Sequence, residues 1–281
     1  MKLKFTKMHG CGNDYVYING FDEKLPEKNR PKLVRLLSDR HFGIGSDGVI
    51  FINPSEKADF EMEMYNADGS RAEMCGNGIR SVAKYVFDNG LTDKKELKIE
   101  SFGKIKPISI IKEKNGKALL IRVDMGEPEL IPERIPVISD KDSFINESVR
   151  IGDKDFRITA VSMGNPHAVI FLDPDKTEIE AIGPLIENSD LFPKRTNVEF
   201  VRIIDRNNIK MRVWERGTGE TLACGTGCCA TLVASVLNGM TDRKATIHVL
   251  GGDIDCEWKE EDSHVYMTGP SETVFTGEIE V

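Results

Sequence analysis

The chain has 281 residues and a formal net charge of −8, long enough to bury a sizeable core and better suited to two domains than to one. With a pI near 5.3 and basic residues scattered along the chain, it lacks the footprint of a nucleic-acid surface or a polybasic membrane patch, and it has neither an 18-residue apolar run nor the apolar core of a signal peptide. An acidic cytoplasmic enzyme is expected, whose six cysteines remain thiols and build no disulfide framework.

Residues 1 to 8 and 14 to 20 read as strands around the glycine-rich turn His9-Gly10-Cys11-Gly12-Asn13, which puts Asn13 on a loop tip. A helix is expected over about 29 to 39, with Pro31 in its first turn. It runs into a second glycine-rich loop, residues 40 to 48, and then an apolar strand over 49 to 52. Phe60, Met62 and Met64 alternate with acidic residues as in a half-buried strand, which delivers the chain into Asn66-Ala67-Asp68-Gly69-Ser70. From Gly76 on, Ile79, Val82, Ala83, Val86 and Phe87 form the stripe of an amphipathic helix. Cys75 therefore sits at a helix N-terminus.

Strands follow near 96 to 101, 105 to 112 and 117 to 125. The stretch with Pro128, Pro132 and Pro136 suits neither strand nor helix and marks a domain boundary. Residues 151 to 161 and 168 to 172 read as strands flanking Gly164-Asn165-Pro166-His167. Thr196-Asn197-Val198-Glu199-Phe200 and the strand over 210 to 215 lead to a second helix over about 225 to 238. That helix is apolar nearly all round and should be buried within its own sheet. Strands near 244 to 250, 253 to 258 and 263 to 268, the break at Gly269-Pro270 and a last strand over 272 to 281 complete the chain.

Two stretches repeat. Cys75-Gly76-Asn77-Gly78 returns as Cys224-Gly225-Thr226-Gly227 at an offset of 149, and the helix-ending pairs Asn89-Gly90 and Asn238-Gly239 keep that offset. From 62 to 90 six of 29 positions are identical to their counterparts, and they include the turn, the thiol and the helix end. Gly12-Asn13-Asp14-Tyr15 is echoed by Gly164-Asn165-Pro166-His167 at an offset of 152, so the repeat reaches the first hairpin.

A thiolate at a helix N-terminus is favoured by unsatisfied N–H groups, so both Cys75 and Cys224 are expected to have lowered pKa values. The same amides, in turns without bulky side chains, make a seat for a carboxylate. Two such turns suggest one cysteine removing a proton beside a bound carboxylate and the other returning one to the opposite face. With both turns alike, the sequence leaves open which thiol is ionised. Cys228, Cys229 and Cys256 read as core, and Cys11 has no assigned role. A metal site is not expected, because the paired Cys-x2-Cys arrangement of structural zinc is missing.

The run from Asn66 to Arg80 and the run Glu215-Arg216-Gly217-Thr218-Gly219-Glu220-Thr221-Leu222-Ala223-Cys224-Gly225-Thr226-Gly227 resemble the two signatures of the diaminopimelate epimerase family. Further matches lie at residues 9 to 14, 40 to 48, 164 to 167 and 195 to 200. The resemblance implies an α/β (α+β) fold of two pseudo-symmetric domains, each a curled, mostly antiparallel sheet around a central helix, with the active site in the cleft. It places residues 1–126 plus 270–281 in the domain with Cys75 and residues 127–269 in the domain with Cys224. It further implies a homodimer that interconverts LL- and meso-diaminopimelate for lysine and peptidoglycan synthesis, with no pyridoxal phosphate, other cofactor or metal. Cys75 and Cys224 would be the acid/base pair. Amides of Gly76, Asn77, Gly225 and Thr226 would hold the reacting carboxylate, Asn13, Asn66, Asn165, Asn197, Glu215 and Arg216 the remaining substrate groups, and His167 and Glu215 would tune the thiols. One departure is Gly48, where relatives often carry glutamine. The competing readings are a proline or hydroxyproline racemase of the same architecture and a non-catalytic amino-acid-binding protein.

Overall fold

The computed structural model describes residues 2–72 and 74–281. Met1, at the start of the expected first strand, and Glu73, in the Asn66-to-Arg80 run, lie outside the described residues. The chain forms two compact units, Met1–Val123 with Gly269–Val281, and Asp124–Thr268.

In the first unit, Lys2–Gly10 pairs antiparallel with both Glu272–Glu280 and Asn13–Asn19. Asn13–Asn19 lies parallel to Gly48–Asn53, which pairs antiparallel with Phe60–Asn66. Phe60–Asn66 takes Arg71–Ala72 antiparallel and Glu96–Ser101 parallel, and Lys104–Lys114 and Lys117–Gly126 follow antiparallel. Helix α1 (Arg30–Ser38) packs Val34 and Leu37 against Val16, Ile18, Val49, Phe51 and Tyr65. Helix α2 (Gly76–Asp88) is buried along most of its length. Strand alternation places Ile50 and Ile52 opposite Val49 and Phe51, so the sheet separates α1 from α2.

The second unit repeats this order. Glu147–Ile151 and Lys154–Ser162 pair antiparallel, then Pro166–Ile170 antiparallel, and Asn197–Asp205 parallel. Asn208–Glu215 is antiparallel to Asn197–Asp205 and takes Gly219–Thr221 antiparallel and Lys244–Val249 parallel, followed by Gly252–Trp258 and Val265–Pro270. Register is repeated too: Val49 faces Tyr65 in the first unit as Val198 faces Trp214 in the second, each 149 residues on.

Three local expectations change. Residues 151 to 161 are not one strand, because the chain turns at Gly152, whose φ is 62°, and Glu147–Ile151 precedes the turn. The strand expected to end at 268 runs on through Gly269 and ends at Pro270, just before Glu272–Glu280. A helix that sequence patterning did not suggest, α3 (Ile179–Glu187), carries Gly183 and Pro184 in its interior, and these residues erase the usual helical signature. It is the counterpart of α1, since 179 − 30 and 187 − 38 both equal 149. Helix α4 (Gly225–Leu237) is buried from Gly225 to Ser235, as its apolar composition predicts.

The α3 glycine is a packing requirement. Tyr65 shares the first core with Val34, and their counterparts are the larger Trp214 and the smaller Gly183. A Cβ on Gly183 would stand 2.4 Å from Trp214 Cγ. Gly183→Ala is therefore expected to destabilise the fold by about 1–2 kcal/mol, as overpacking outweighs the roughly 1 kcal/mol that alanine ordinarily gains in a helix. Urea denaturation checks this; an unchanged or raised midpoint contradicts it.

Candidate active site

Both repeated thiols cap a helix. Cys75 precedes α2 in extended conformation (φ −133°, ψ 115°) and its sulfur accepts the Gly78 N–H at 3.3 Å. Cys224 precedes α4 with φ −120° and ψ 112°, and its sulfur accepts the Gly227 N–H at 3.4 Å. The glycine three residues on is needed sterically. A Cβ on Gly78 would come within 2.7 Å of Ile50 Cδ1, and one on Gly227 within 2.8 Å of Glu199 Oε1. In an α-helix the first amides have no intrahelical partner, so Gly76, Asn77, Gly225 and Thr226 carry the N–H groups suited to an anion.

In the first unit Asn13, Gly76 and Asn77 gather at Cys75. The Cys75 thiol donates to Asn13 Oδ1 at 3.2 Å, and Asn77 Nδ2 donates to the same oxygen at 3.4 Å. Buried Arg80 donates to Asn77 Oδ1 at 2.8 Å, while Asn13 Nδ2 donates to Asp47 Oδ2 at 2.8 Å. A donor-only guanidinium at one end and an acceptor-only carboxylate at the other fix both amide orientations. Asp47 also accepts from Arg40 at 2.8 Å, and Arg40 bridges to Asp14, which pairs with Lys7. Burial works to raise the Asp14 pKa, but Arg40 and Lys7 bring it below the ordinary value. Asn66 turns elsewhere, its Nδ2 bonding to Ser70 Oγ at 3.1 Å. At Gly48 a Cβ would fall 2.1 Å from the Tyr65 carbonyl oxygen, so this backbone has no room for the glutamine that relatives often carry.

In the second unit Thr226, Glu215 and Glu199 lie around Cys224, and His167 and Asn165 adjoin Glu199. Thr226 Oγ1 is 3.4 Å from the sulfur, and Glu215 accepts from Thr221 Oγ1 at 2.5 Å. His167 is fully buried, with Nδ1 2.6 Å from Glu199 Oε1 and Nε2 3.0 Å from Asn165 Oδ1. Asn197 and Arg216 form a separate tie: Asn197 donates to the Pro166 carbonyl at 2.9 Å and accepts the Arg216 N–H at 2.9 Å, and the Arg216 guanidinium donates to the Lys194 carbonyl at 3.1 Å. Cys228, Cys229 and Cys256 are buried.

Electrostatics act strongly on the second thiol. Burial, reinforced by Glu215 and Glu199, pushes the Cys224 thiol well above its ordinary value, against hydrogen bonds from Thr226 and the Gly227 N–H. Burial also pushes the Glu215 carboxyl up, against hydrogen bonds with Thr221 and Cys224. The expectation that its helix N-terminus lowers the Cys224 pKa is thus overturned: desolvation and two carboxyl groups outweigh the helix amides.

Sequence reasoning missed four residues that shape these sites: Asp47, Arg80, Glu199 and Glu187. Glu187 ends α3 and accepts from Trp214 Nε1 at 2.7 Å, the Gly217 N–H at 2.8 Å and Arg195 at 3.1 Å, holding the turn after Glu215. Asp47 and Arg80 stood inside motifs already singled out. Glu199 had its own signal, a single acid within the otherwise apolar run from Val198 to Val201.

Two matched α/β units, each with a thiol capping a buried central helix, give a fold shared with known isomerases. A hydroxyproline epimerase from Agrobacterium vitis superposes with a TM-score of 0.70 over 99% of this chain and 91% of that one, at 12% identity. A PhzF-family protein from Bacillus anthracis gives 0.68 over the whole of both chains at 15% identity. The sequence narrows the class: the diaminopimelate epimerase family model matches residues 5–131 and 159–274, and the chain belongs to that family. It is 58% identical to the diaminopimelate epimerase of Acetivibrio thermocellus, across 99% of each chain. It is 55% identical to that of Methanococcus maripaludis, across 99% of this chain and 100% of the other.

Alkylation needs the thiolate, so a raised pKa moves it to higher pH. Iodoacetamide modification of Cys224, followed peptide by peptide by mass spectrometry, is expected to reach half its limiting rate above the ordinary thiol value of 9.0. A midpoint below that value contradicts the electrostatics described.

Proposed function

We propose that this enzyme interconverts LL- and meso-diaminopimelate by a two-base mechanism carried by Cys75 and Cys224. The observation that carries the reading is the duplicated thiol cap, which sets each sulfur beside the amides of a helix start. Gly76 and Asn77 on α2, with Gly225 and Thr226 on α4, hold the carboxylate of the reacting centre. As the α-proton leaves, charge moves onto that carboxylate, where preorganised N–H groups stabilise it.

Proton inventory is balanced over the two sulfurs. The thiolate takes the α-proton, forming S–H and breaking C–H. The opposing thiol gives its proton to the other face of the carbon, so configuration inverts and one sulfur ends ionised. Cys224, held as a thiol by burial and its carboxyl neighbours, starts as the donor, and Cys75 removes the α-proton once its own thiol, which donates to Asn13 in the free enzyme, has lost its proton to solvent; the reverse reaction exchanges the roles. Asn13, Asn66, Asn165, Asn197, Glu215 and Arg216 hold the ammonium groups and the distal carboxylate, for which a guanidinium fork is suited. His167 and Glu215 tune Cys224.

The high identity to diaminopimelate epimerases across the full chain supports this substrate over a proline-sized one. We place the enzyme in the cytoplasm as a homodimer. Its cysteines form no disulfide, and among the described residues no helix is long and apolar enough to cross a membrane.

In deuterated water, without added cofactor, the enzyme is expected to load deuterium at the α-carbon of LL-diaminopimelate while forming the meso isomer. Cys75→Ala and Cys224→Ala should each lower epimerisation at least 100-fold, the order expected for loss of a general acid or base. Turnover of proline in place of diaminopimelate, or near-normal epimerisation by either variant, would sink the assignment.

A further inference from the structure

The two units allow a comparison that a single domain would not. At the offset of 149, Glu199 is the counterpart of Ile50, and both occupy the same spot. Ile50 Cδ1 lies where a Cβ on Gly78 would reach, and Glu199 Oε1 where a Cβ on Gly227 would reach. The first unit fills this layer between sheet and helix with hydrocarbon. The second fills it with a carboxyl group that is 0% exposed. His167 likewise stands where the first unit has Tyr15, each beside its parallel partner strand, His167 facing Asn197 and Tyr15 facing Gly48.

The carboxyl group is therefore dispensable for the architecture, and burying it is costly. His167 Nδ1 satisfies Glu199 Oε1 at 2.6 Å, whereas Glu199 Oε2 has no hydrogen-bond partner. A buried acceptor left unmade costs stability, and residues that carry such a cost are expected at functional sites.

We propose that Glu199 is a positioning residue for Cys224: clamped by His167, its carboxylate supplies a fixed negative charge behind the start of α4 that keeps Cys224 protonated until substrate arrives. This rests on the reading of Cys224 as a proton carrier. The carboxylate accepts the Nδ1 hydrogen, and the ring's Nε2, 3.0 Å from the amide oxygen of Asn165, donates to that second acceptor, so the imidazole is held between the two and orients the carboxyl group behind α4. The titratable groups around Cys224 are Glu199 on the strand Asn197–Asp205, His167 on Pro166–Ile170 and Glu215 on Asn208–Glu215, with Cys228 one turn along α4. Glu215 and Glu199 both act against ionisation of the thiol. Glu215 is exchanged for Asn66 in the first unit. Both carboxyl groups near the second thiol thus have uncharged counterparts in the first unit.

The test is Glu199→Gln, which keeps the volume and the contact with His167 but removes the charge. Thiolate absorbance of Cys224, taken as the difference between otherwise identical proteins with and without Cys224→Ala, should show about tenfold more thiolate at a given pH, a pKa change of about one. The kcat/KM profile should move toward acid to match, and Glu199→Asp, which restores the charge, should return it toward the original. A uniform loss of activity with unchanged profile and absorbance would mean that Glu199 serves packing alone, and would overturn the proposal. Glu199→Met carries the same test should the glutamine variant not fold. Epimerisation that survives Cys224→Ala would instead refute the underlying reading, whatever Glu199 does.

Discussion

The sulfur cap at the start of each central helix is the constraint on which the rest of the structure depends. A buried helix start presents unsatisfied amides and a partial positive charge. Here the cysteine must stay extended while its sulfur takes the N–H three residues on. That geometry admits no side chain at Gly78 or Gly227, because the facing strand already fills the space. The Cys-Gly-x-Gly spelling is what the cap, the close strand and an open anion seat require together.

Within this repeated frame the charges are not repeated. Arg80, fully buried, bonds to Asn77 and to the carbonyls of Gly76 and Pro270, and its counterpart is the neutral Cys229. Glu199 and Glu215 have the neutral counterparts Ile50 and Asn66. A buried cation accompanies the first thiol's helix, and two carboxyl groups accompany the second thiol. Matched geometry is thus filled with unlike charges, and burial with two carboxyl neighbours opposes ionisation of the second thiol. Symmetry supplies two capped thiols; its local breaking distinguishes them.

Much of this was legible in the sequence because it rests on backbone requirements. The caps, the buried α4 and the paired asparagine turns are all written as glycine, cysteine or periodicity. The electrostatic difference was not legible. A helix N-terminus predicts a lowered thiol pKa, and nothing in the Cys224 turn says that burial, with Glu215 and Glu199 arriving on two separate strands, reverses it. Helix α3 was hidden for another reason: Gly183 makes room for Trp214, and Pro184 interrupts the propensity. Applying the 149-residue offset to α1 would have located it, so the missing information lay in the repeat and not in the local pattern.

The ties that hold the loops show why so few residues are identical between halves. Ser38, ending α1, accepts the Ser46 N–H at 3.0 Å through its carbonyl and lies 3.3 Å from the Ser46 hydroxyl. At the same offset Glu187, ending α3, pairs with Arg195 at 3.1 Å. Position and purpose are repeated, a helix end tied to the loop that enters the next parallel strand, while two hydroxyls have become an ion pair. The longer Glu187 side chain reaches further, to Trp214 and to the Gly217 amide, and so steadies the turn that carries Glu215. A tie can change chemistry when both partners change together, but a sulfur cap against a close-packed strand leaves no second solution. Identity therefore survives at the cysteines and glycines of the caps and at the Asn-Gly helix ends, while most other positions differ.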